Sequence, residues 1–221
     1  KGSLLLVIAL SFSILAGFLQ MSIYLFGTVF FWNLYLSWKY KTSKRKAVNF
    51  VLLGAILFLT VSMTAMQWLP AFEAYQFSAR GTTRATFLFE TYLMPIWHLV
   101  TFFAPDFWGN PGSYNYFLPK VFYHETVIYI GVFPLFFALS AFLNKRGRYT
   151  GFWKIFSVAV LSLGFALPTS WVWEILRVPI LSVAQPSRIF ALSAFSLSIL
   201  AAFGMDNFLK NDSFWRKMKL P

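Results

Sequence analysis

The chain of 221 residues is 58% hydrophobic and 21% aromatic, and only 12% of its residues are charged, where an ordinary soluble domain carries about 25%. A soluble fold could not cover so much apolar surface, and the absence of cysteine excludes disulfides, a thiolate nucleophile and cysteine metal sites. The net charge of +12 comes from basic clusters between apolar runs, which is typical of membrane topology and not of nucleic-acid binding.

Six apolar runs predict an all-α, polytopic transmembrane protein with about six membrane helices in a single domain over residues 1–221. In chain order, the predicted spans are 4–16, 21–38, 47–69, 126–143, 155–167 and 189–208. The first run is shorter than the roughly 20 residues that cross a bilayer. Because the chain also begins at Lys1 and not at Met, we interpret it as a fragment whose N-terminal part is missing.

Basic residues predict the orientation of the spans, since short cytoplasmic loops hold an excess of Lys and Arg. They cluster after the second, fourth and sixth runs, at Lys39–Lys46, Lys145–Lys154 and Lys210–Lys219. These clusters and both termini are therefore expected in the cytoplasm. Most acidic residues lie on the opposite side, in or beside the outer loops 70–125 and 168–188. We expect any chemistry to take place on that outer face.

The first outer loop has two sections with different compositions. Arg84–Phe103 alternates polar and large apolar residues, which predicts a helix lying at the membrane interface and broken at Pro95. Ala104–Tyr116 is rich in turn-forming, aromatic and amide residues, with Asp106 among them. Such a stretch suits stacking on a sugar ring, and an aromatic belt at the level of the lipid headgroups is the alternative.

Candidate site residues stand where the later spans meet the outer face. His124 and Glu125 precede the fourth span, where a carboxylate near apolar surface can act as an acid or a base. Arg188 follows Gln185 at the start of the sixth span. Its planar guanidinium suits a lipid phosphate, and interfacial snorkelling is the alternative. We expect Glu125 and Arg188 to belong to one outward-facing cavity.

Two further groupings stay open. Glu73 and Arg80 are two helical turns apart, so a helix after Pro70 would place both on one face, where an ion pair is the leading interpretation. A divalent metal bound by His98 and His124 is an alternative use of the histidines. Their spacing matches no metal motif, so we assign no metal and no other cofactor.

The polar landmarks, taken in order, give the chain a family resemblance. They are Leu15–Gln20 with Tyr24, Trp68–Glu73 with Ser78–Arg80, Pro105–Gly109, Glu125–Gly131, Gln185–Arg188 and Ala201–Asp206. In this order and at these positions, the chain resembles the YfhO-like bacterial membrane proteins, a branch of the GT-C superfamily of integral membrane glycosyltransferases. Family members usually show Gly-His-x-Gln where this chain has Gly17-Phe-Leu-Gln20, so no role for that histidine is carried over.

The resemblance implies a sugar donor carried on polyprenyl phosphate and transfer outside the bacterial cytoplasmic membrane. The implied acceptor is a cell-envelope glycan or a teichoic-acid-like polymer, with membrane lipids as further partners and no nucleic acid. The main catalytic Asp of the superfamily would precede Lys1. Within this chain, the implied catalytic residues are Glu125 and Asp106, and the implied substrate-binding residues are Gln20, Glu73, Arg80, His124, Gln185 and Arg188.

Two other classes of protein are alternatives. A transporter or lipid flippase needs polar groups at mid-membrane depth, whereas the charged groups here cluster at one rim. A non-catalytic assembly protein of the cell envelope is disfavoured only by the density of polar and aromatic residues in the outer loops.

Overall fold

The computed structural model describes residues 2–39, 43–78, 93–117, 123–143, 147, 149–165 and 185–210. Over these residues the protein is all-α, as predicted. Extended pairing in this part of the chain is limited to one isolated bridge between Met94 and Phe165. The α-helices are α1 Gly2–Leu15, α2 Leu19–Lys39, α3 Ser43–Met63, α4 Ala65–Gln76, α5 Tyr123–Thr126, α6 Val132–Leu143, α7 Thr150–Gly164 and α8 Phe190–Leu209. Short 3-10 helices cover Ile96–Phe102, Pro111–Ser113 and Pro186–Ile189.

Three helical segments of the described chain are long and apolar enough to cross a membrane. They are Leu19–Lys39, Lys46–Met63 and Pro186–Leu209. The other three predicted spans overlap the shorter apolar helices α1, α6 and α7, of 14, 12 and 15 residues. Since a helix needs about 20 residues to cross a bilayer, the total of six spans stays a prediction.

The predicted third span, 47–69, does not correspond to one continuous helix. Helix α3 ends at Met63, and α4 continues through Pro70 to Gln76. The break comes at Thr64, whose hydroxyl donates to the carbonyl oxygen of Thr60 at 2.8 Å, a side-chain bond to the backbone that often bends helices. The apolar run stopped at Pro70, but the helical backbone passes through this residue.

The predicted fourth span, 126–143, is likewise not one continuous helix. Helix α5 ends at Thr126, residues 127–131 are not helical, and α6 begins at Val132. Gly131 has a φ of +95°, in the left-handed region that favours glycine. Ile128 is buried, and its N–H donates to the Thr101 hydroxyl oxygen at 3.3 Å. An apolar run of this kind does not distinguish a helix from a buried irregular segment.

The predicted interfacial helix is described only from its break onward, because residues 84–92 lie outside the described residues. Pro95 is extended, and the 3-10 helix Ile96–Phe102 begins directly after it. This helix has two faces, since Ile96 and Trp97 are exposed while His98 and Phe102 are buried. Its place at a membrane interface stays a prediction. The apolar content of residues 171–180 predicts a second interfacial segment, and it lies outside the described residues.

The described residues fall into two compact units. The first unit contains α1 to α4, and its apolar core is formed by Val7, Leu10 and Ile56. The second unit contains residues 93–117 and the helices α5 to α8, and Ala138 and Leu200 lie in its core. The prediction of one domain over 1–221 concerns how the units combine and stays a prediction.

Helices α6 and α8 of the second unit approach each other closely. A Cβ atom on Gly204 of α8 would lie 1.9 Å from the carbonyl oxygen of Phe137 on α6. Glycine therefore permits this approach, as small residues commonly do where membrane helices pack.

Candidate functional site in the second unit

A buried ion pair joins Glu125 to Arg188. Glu125 lies on α5, and Arg188 lies on the 3-10 helix Pro186–Ile189 that leads into α8. The Glu125 Oε1 atom accepts from the Arg188 Nε atom at 2.8 Å and from its Nη2 atom at 2.6 Å. The side chains are 6% and 20% exposed, respectively. Two charge-assisted bonds at this depth hold the arginine to the carboxylate, and removal of either partner would leave a poorly solvated charge.

The second oxygen of the Glu125 carboxylate has no such partner. Its Oε2 atom is buried, and no hydrogen-bond donor of the described residues reaches it. The Ser187 hydroxyl, next to Arg188, is likewise buried without a partner among the described residues. Buried polar groups are usually satisfied, so an orphaned carboxylate oxygen marks a candidate position for a ligand hydroxyl or a water molecule.

His124 and Gln185 flank this ion pair. The His124 Nε2 atom lies 3.9 Å from Glu125 Oε1, beyond hydrogen-bond distance, and its side chain is 76% exposed. Gln185 precedes the 3-10 helix, and its carbonyl oxygen accepts from the Arg188 N–H at 3.3 Å. Both predicted substrate-binding residues are therefore next to the ion pair along the chain, and the His124 side chain faces solvent.

Asp106 is linked to the same short helix through Tyr123. The Asp106 Oδ1 atom accepts from the Tyr123 phenol and from the Asn110 Nδ2 atom at 3.0 Å. The hydrogen bond to Asp106 is the main cause that raises the pKa of Tyr123, with smaller contributions from desolvation and from nearby charge. Tyr123 therefore stays a protonated donor at neutral pH. Tyr123 thus links Asp106 to α5, the short helix that also carries Glu125.

The loop that carries Asp106 is held by its own amides and by one glycine. The Asn110 N–H donates to the Asn115 Oδ1 atom at 2.8 Å, and Asn110 Oδ1 accepts from the Gly112 N–H at 2.8 Å. Gly109 has a φ of +87°, and a Cβ there would lie 2.1 Å from the Asn115 carbonyl oxygen. The amides predicted to bind a sugar thus also hold the loop in shape.

The ring of the buried His98 stacks on that of the half-buried Trp108, a contact that the sequence did not predict. Their ring centroids are 5.7 Å apart at an interplanar angle of 22°. His98 is 2% exposed, and both of its ring nitrogens and the Trp108 indole nitrogen are buried without a hydrogen-bond partner in the part of the chain that is described. Burial lowers the pKa of His98, so the ring is neutral at pH 7. The only sequence signal was its position between aromatic and apolar residues.

The remaining predicted site residues are not among those described around the Glu125–Arg188 pair. Gln20 is buried in the first unit, where its Nε2 atom donates to the Tyr24 phenol oxygen at 2.9 Å. Glu73 is an exposed residue of α4 in the same unit. Arg80, and with it the predicted Glu73–Arg80 ion pair, lies outside the described residues. No group of three or more His, Asp or Glu side chains among the described residues is placed to hold a metal ion.

In comparisons with protein-family models, with curated proteins and with solved structures, the chain gives no match. Over the described residues, the structure defines an all-α protein in which three helical segments are long and apolar enough to cross a membrane, with a Glu–Arg ion pair in the second unit. The resemblance to the YfhO-like family stays a prediction based on the segments quoted for it.

Proposed function

We propose that this chain belongs to an integral membrane glycosyltransferase of the YfhO-like type. It transfers a sugar from a polyprenyl-phosphate donor to a glycan or teichoic-acid-like acceptor on the outer side of the bacterial cytoplasmic membrane. The observation that carries the proposal is the Glu125–Arg188 pair, whose buried Oε2 atom has no partner among the described residues. A carboxylate and a guanidinium in contact are suited to a reaction that moves a proton and releases a phosphate.

Arg188 is the proposed ligand of the lipid phosphate. A guanidinium carries five N–H donors in a planar fork, so it can pair with Glu125 and bind a phosphate oxygen at the same time. At 20% side-chain exposure it is partly shielded from water, which strengthens its attraction to an anion. Charge develops on the phosphate as the sugar leaves, and a fixed cation stabilises that charge. The roles predicted for Gln20, Glu73 and Arg80 in binding phosphate, sugar or acceptor stay predictions.

Glu125 is the proposed acceptor of the hydroxyl proton. The acceptor oxygen attacks the anomeric carbon, the bond from that carbon to the phosphate oxygen breaks, and the hydroxyl proton passes to a carboxylate. Glu125 Oε2 is the oxygen with capacity for it, since Oε1 already receives two N–H donors. Asp106 is the second proposed carboxylate, held by Tyr123, and His124 and Gln185 are proposed to contact the substrates.

Activity of two conservative variants tests the assignment. The full-length protein in membranes is supplied with a polyprenyl-phosphate sugar and membranes that carry the acceptor, and sugar transfer is measured. Glu125→Gln keeps the shape but cannot take the proton, so we expect turnover to fall by roughly 10²-fold or more while donor binding is kept. Arg188→Lys keeps the charge but loses the planar contact, so we expect weaker donor binding.

The matched control is Asp206→Asn, which removes the exposed Asp206–Lys210 pair on α8. This variant should transfer sugar at the rate of the unmodified protein. Near-normal transfer by both Glu125→Gln and Arg188→Lys would overturn the proposed site.

Orientation in the membrane is tested by labelling. The chain contains no cysteine, so single cysteines can be added without background. We expect Asn110→Cys to react with a membrane-impermeant thiol reagent on intact cells, and Lys39→Cys to react only after the cells are opened. The reverse pattern would contradict the proposed outer location of residues 70–125.

A further inference from the structure

We propose that an apolar cavity in the first unit binds one acyl chain of a bilayer phospholipid. The cavity has a volume of about 190 Å³ and is partly open to its surroundings. It lies among the end of α1, the start of α2, the end of α3 and the middle of α4. Its apolar lining includes Ile14, Leu19, Ile23, Phe26, Val61 and Phe72. This proposal does not depend on the proposed function.

Helix breaks on either side create the cavity. About one helical turn or more before Ile14 and Val61, α1 and α3 pack closely through Val7, Leu10 and Ile56. Beyond Ile14 and Val61, both helices end, with a turn at Gly17 where φ is +80° and a break at Thr64. The helices are interrupted at both places, and the space between the adjoining side chains is unfilled.

The polar atoms of the wall are already bonded within the protein. The Ser22 hydroxyl donates to the Ser13 carbonyl oxygen at 2.8 Å, and the Trp68 indole N–H donates to the Val61 carbonyl oxygen at 2.9 Å. These two residues therefore present only apolar atoms to an occupant of the cavity. Apolar cavities of about 150 Å³ stay free of water and accept small apolar molecules, so a cavity of this size suits a hydrocarbon.

The surroundings identify the hydrocarbon. The helical segments Leu19–Lys39 and Lys46–Met63, which contribute to this unit, are long and apolar enough to cross a membrane. Large apolar side chains of the same helices, such as Val51 and Phe58, are exposed, as expected for surface that faces lipid. The medium around the cavity is then the acyl region of a bilayer.

Other occupants fit this cavity less well. A peptide backbone or a sugar would bring N–H, C=O or hydroxyl groups into a wall with no free polar partner, and each unpaired group would destabilise the complex by several kcal/mol. An isoprenoid chain carries methyl branches and is wider than a linear chain. The linear acyl chain of the bulk phospholipid is narrow and is present wherever these helices cross a membrane.

Photocrosslinking tests the proposal. The full-length protein is reconstituted into vesicles of phosphatidylethanolamine and phosphatidylglycerol that contain a trace of phospholipid with a diazirine on one acyl chain, and crosslinked residues are located by mass spectrometry. We expect enriched labelling at Ile23 and Phe72. Ile23→Trp, which fills the cavity, should lower labelling at Phe72 by about tenfold, the effect of losing ~1.4 kcal/mol of binding free energy.

Two variants serve as controls. Phe31→Trp places the same indole ring on the exposed surface of α2, outside the cavity lining, and should leave the labelling unchanged. Val61→Phe narrows the half-exposed rim and should also lower the labelling, which gives a second test should Ile23→Trp fail to fold.

Three outcomes would overturn the proposal. Labelling could be spread evenly over the exposed apolar faces and be insensitive to both cavity variants, which is the behaviour of ordinary surrounding lipid. A diazirine isoprenoid probe could label the cavity in preference to the acyl probe and be unaffected by excess phospholipid. Labelling could also be absent from the lining residues altogether.

Discussion

The two units of the protein satisfy their buried polar groups in different ways. In the first unit the bonds join residues close in the chain: Thr28 donates to the Tyr24 carbonyl oxygen and Thr64 to that of Thr60, each four residues back, and Ser22 donates to that of Ser13, nine residues back. In the second unit the important bonds join distant segments. Glu125 pairs with Arg188, 63 residues away, and the N–H of Ile128 donates to Thr101, 27 residues away.

This difference indicates which unit depends on precise packing. Bonds that span four residues are local to one stretch of the chain and survive small movements of neighbouring helices. A buried ion pair between distant segments requires both segments to be in place, and it is strongly destabilising when only one partner is present. We therefore expect the second unit to tolerate substitution less well than the first, and the candidate site lies in that unit.

The largest expected effect comes from breaking the buried ion pair. Arg188→Met leaves the Glu125 carboxylate, only 6% exposed, without its cation. We expect the free energy of unfolding in mixed detergent micelles to fall by about 3–5 kcal/mol. Lys210→Met, which breaks an exposed pair on a single helix, should lower it by less than about 0.5 kcal/mol.

A double variant sharpens this result. Glu125→Leu with Arg188→Met removes both charges together, and much of the lost stability should return because no unpaired charge is left. Equal losses for the single and double variants would show that shape, and not charge, explains the destabilisation. Circular dichroism during titration with a denaturing detergent provides the measurement.

The next largest effect on stability is expected from glycine substitutions, compared between the two units. Gly204→Ala in the second unit would place a Cβ 1.9 Å from the Phe137 carbonyl oxygen, and we expect a loss of about 1–3 kcal/mol as α6 and α8 separate. Gly27→Ala, on α2 of the first unit, meets no atom within 4 Å. It should be neutral or stabilising by up to about 1 kcal/mol, because alanine favours a helix. Equal effects would contradict the close approach of α6 and α8.

The smallest expected effect is a dependence on pH through His98. Burial lowers its pKa in the folded state below its ordinary value of 6.5. The folded state thus binds protons less readily than the unfolded state, so this contribution to stability is fully present above pH 6.5 and is lost as the pH falls through the lowered pKa. Midpoints of thermal unfolding between pH 7.5 and pH 5 should decrease.

His98→Phe is the matched variant, since it keeps a ring against Trp108 and removes the titrating group. We expect its midpoint of thermal unfolding to vary less with pH than that of the unmodified protein. A Gln20→Leu variant in the first unit should keep the full pH dependence. If His98→Phe and the unmodified protein respond identically to acid, another group is responsible.

The sequence predicted the fold class and most helices because the apolar runs are long and their composition leaves little alternative. It placed α2 within two residues at its N-terminal end and one at its C-terminal end, and α8 within one residue at both ends. The sequence did not predict the helix breaks at Thr64 and at residues 127–131, because hydropathy does not report a helix break inside an apolar run. Pro70 had the opposite effect, ending the predicted span within a continuing helix.

For the candidate site, the sequence by itself predicted Glu125 and Arg188 near the outer ends of spans and Asp106 in the first outer loop, since charged residues avoid the hydrocarbon and basic clusters set the orientation. Only the tertiary structure decided that Glu125 and Arg188 touch, that Tyr123 holds Asp106, and that His98 is buried against Trp108. Contacts between residues far apart in the chain depend on how helices pack and where they break. Local composition does not predict how helices pack or where they break. The apolar cavity between the ends of α1 and α3 also results from such packing and breaks, so the sequence did not predict it.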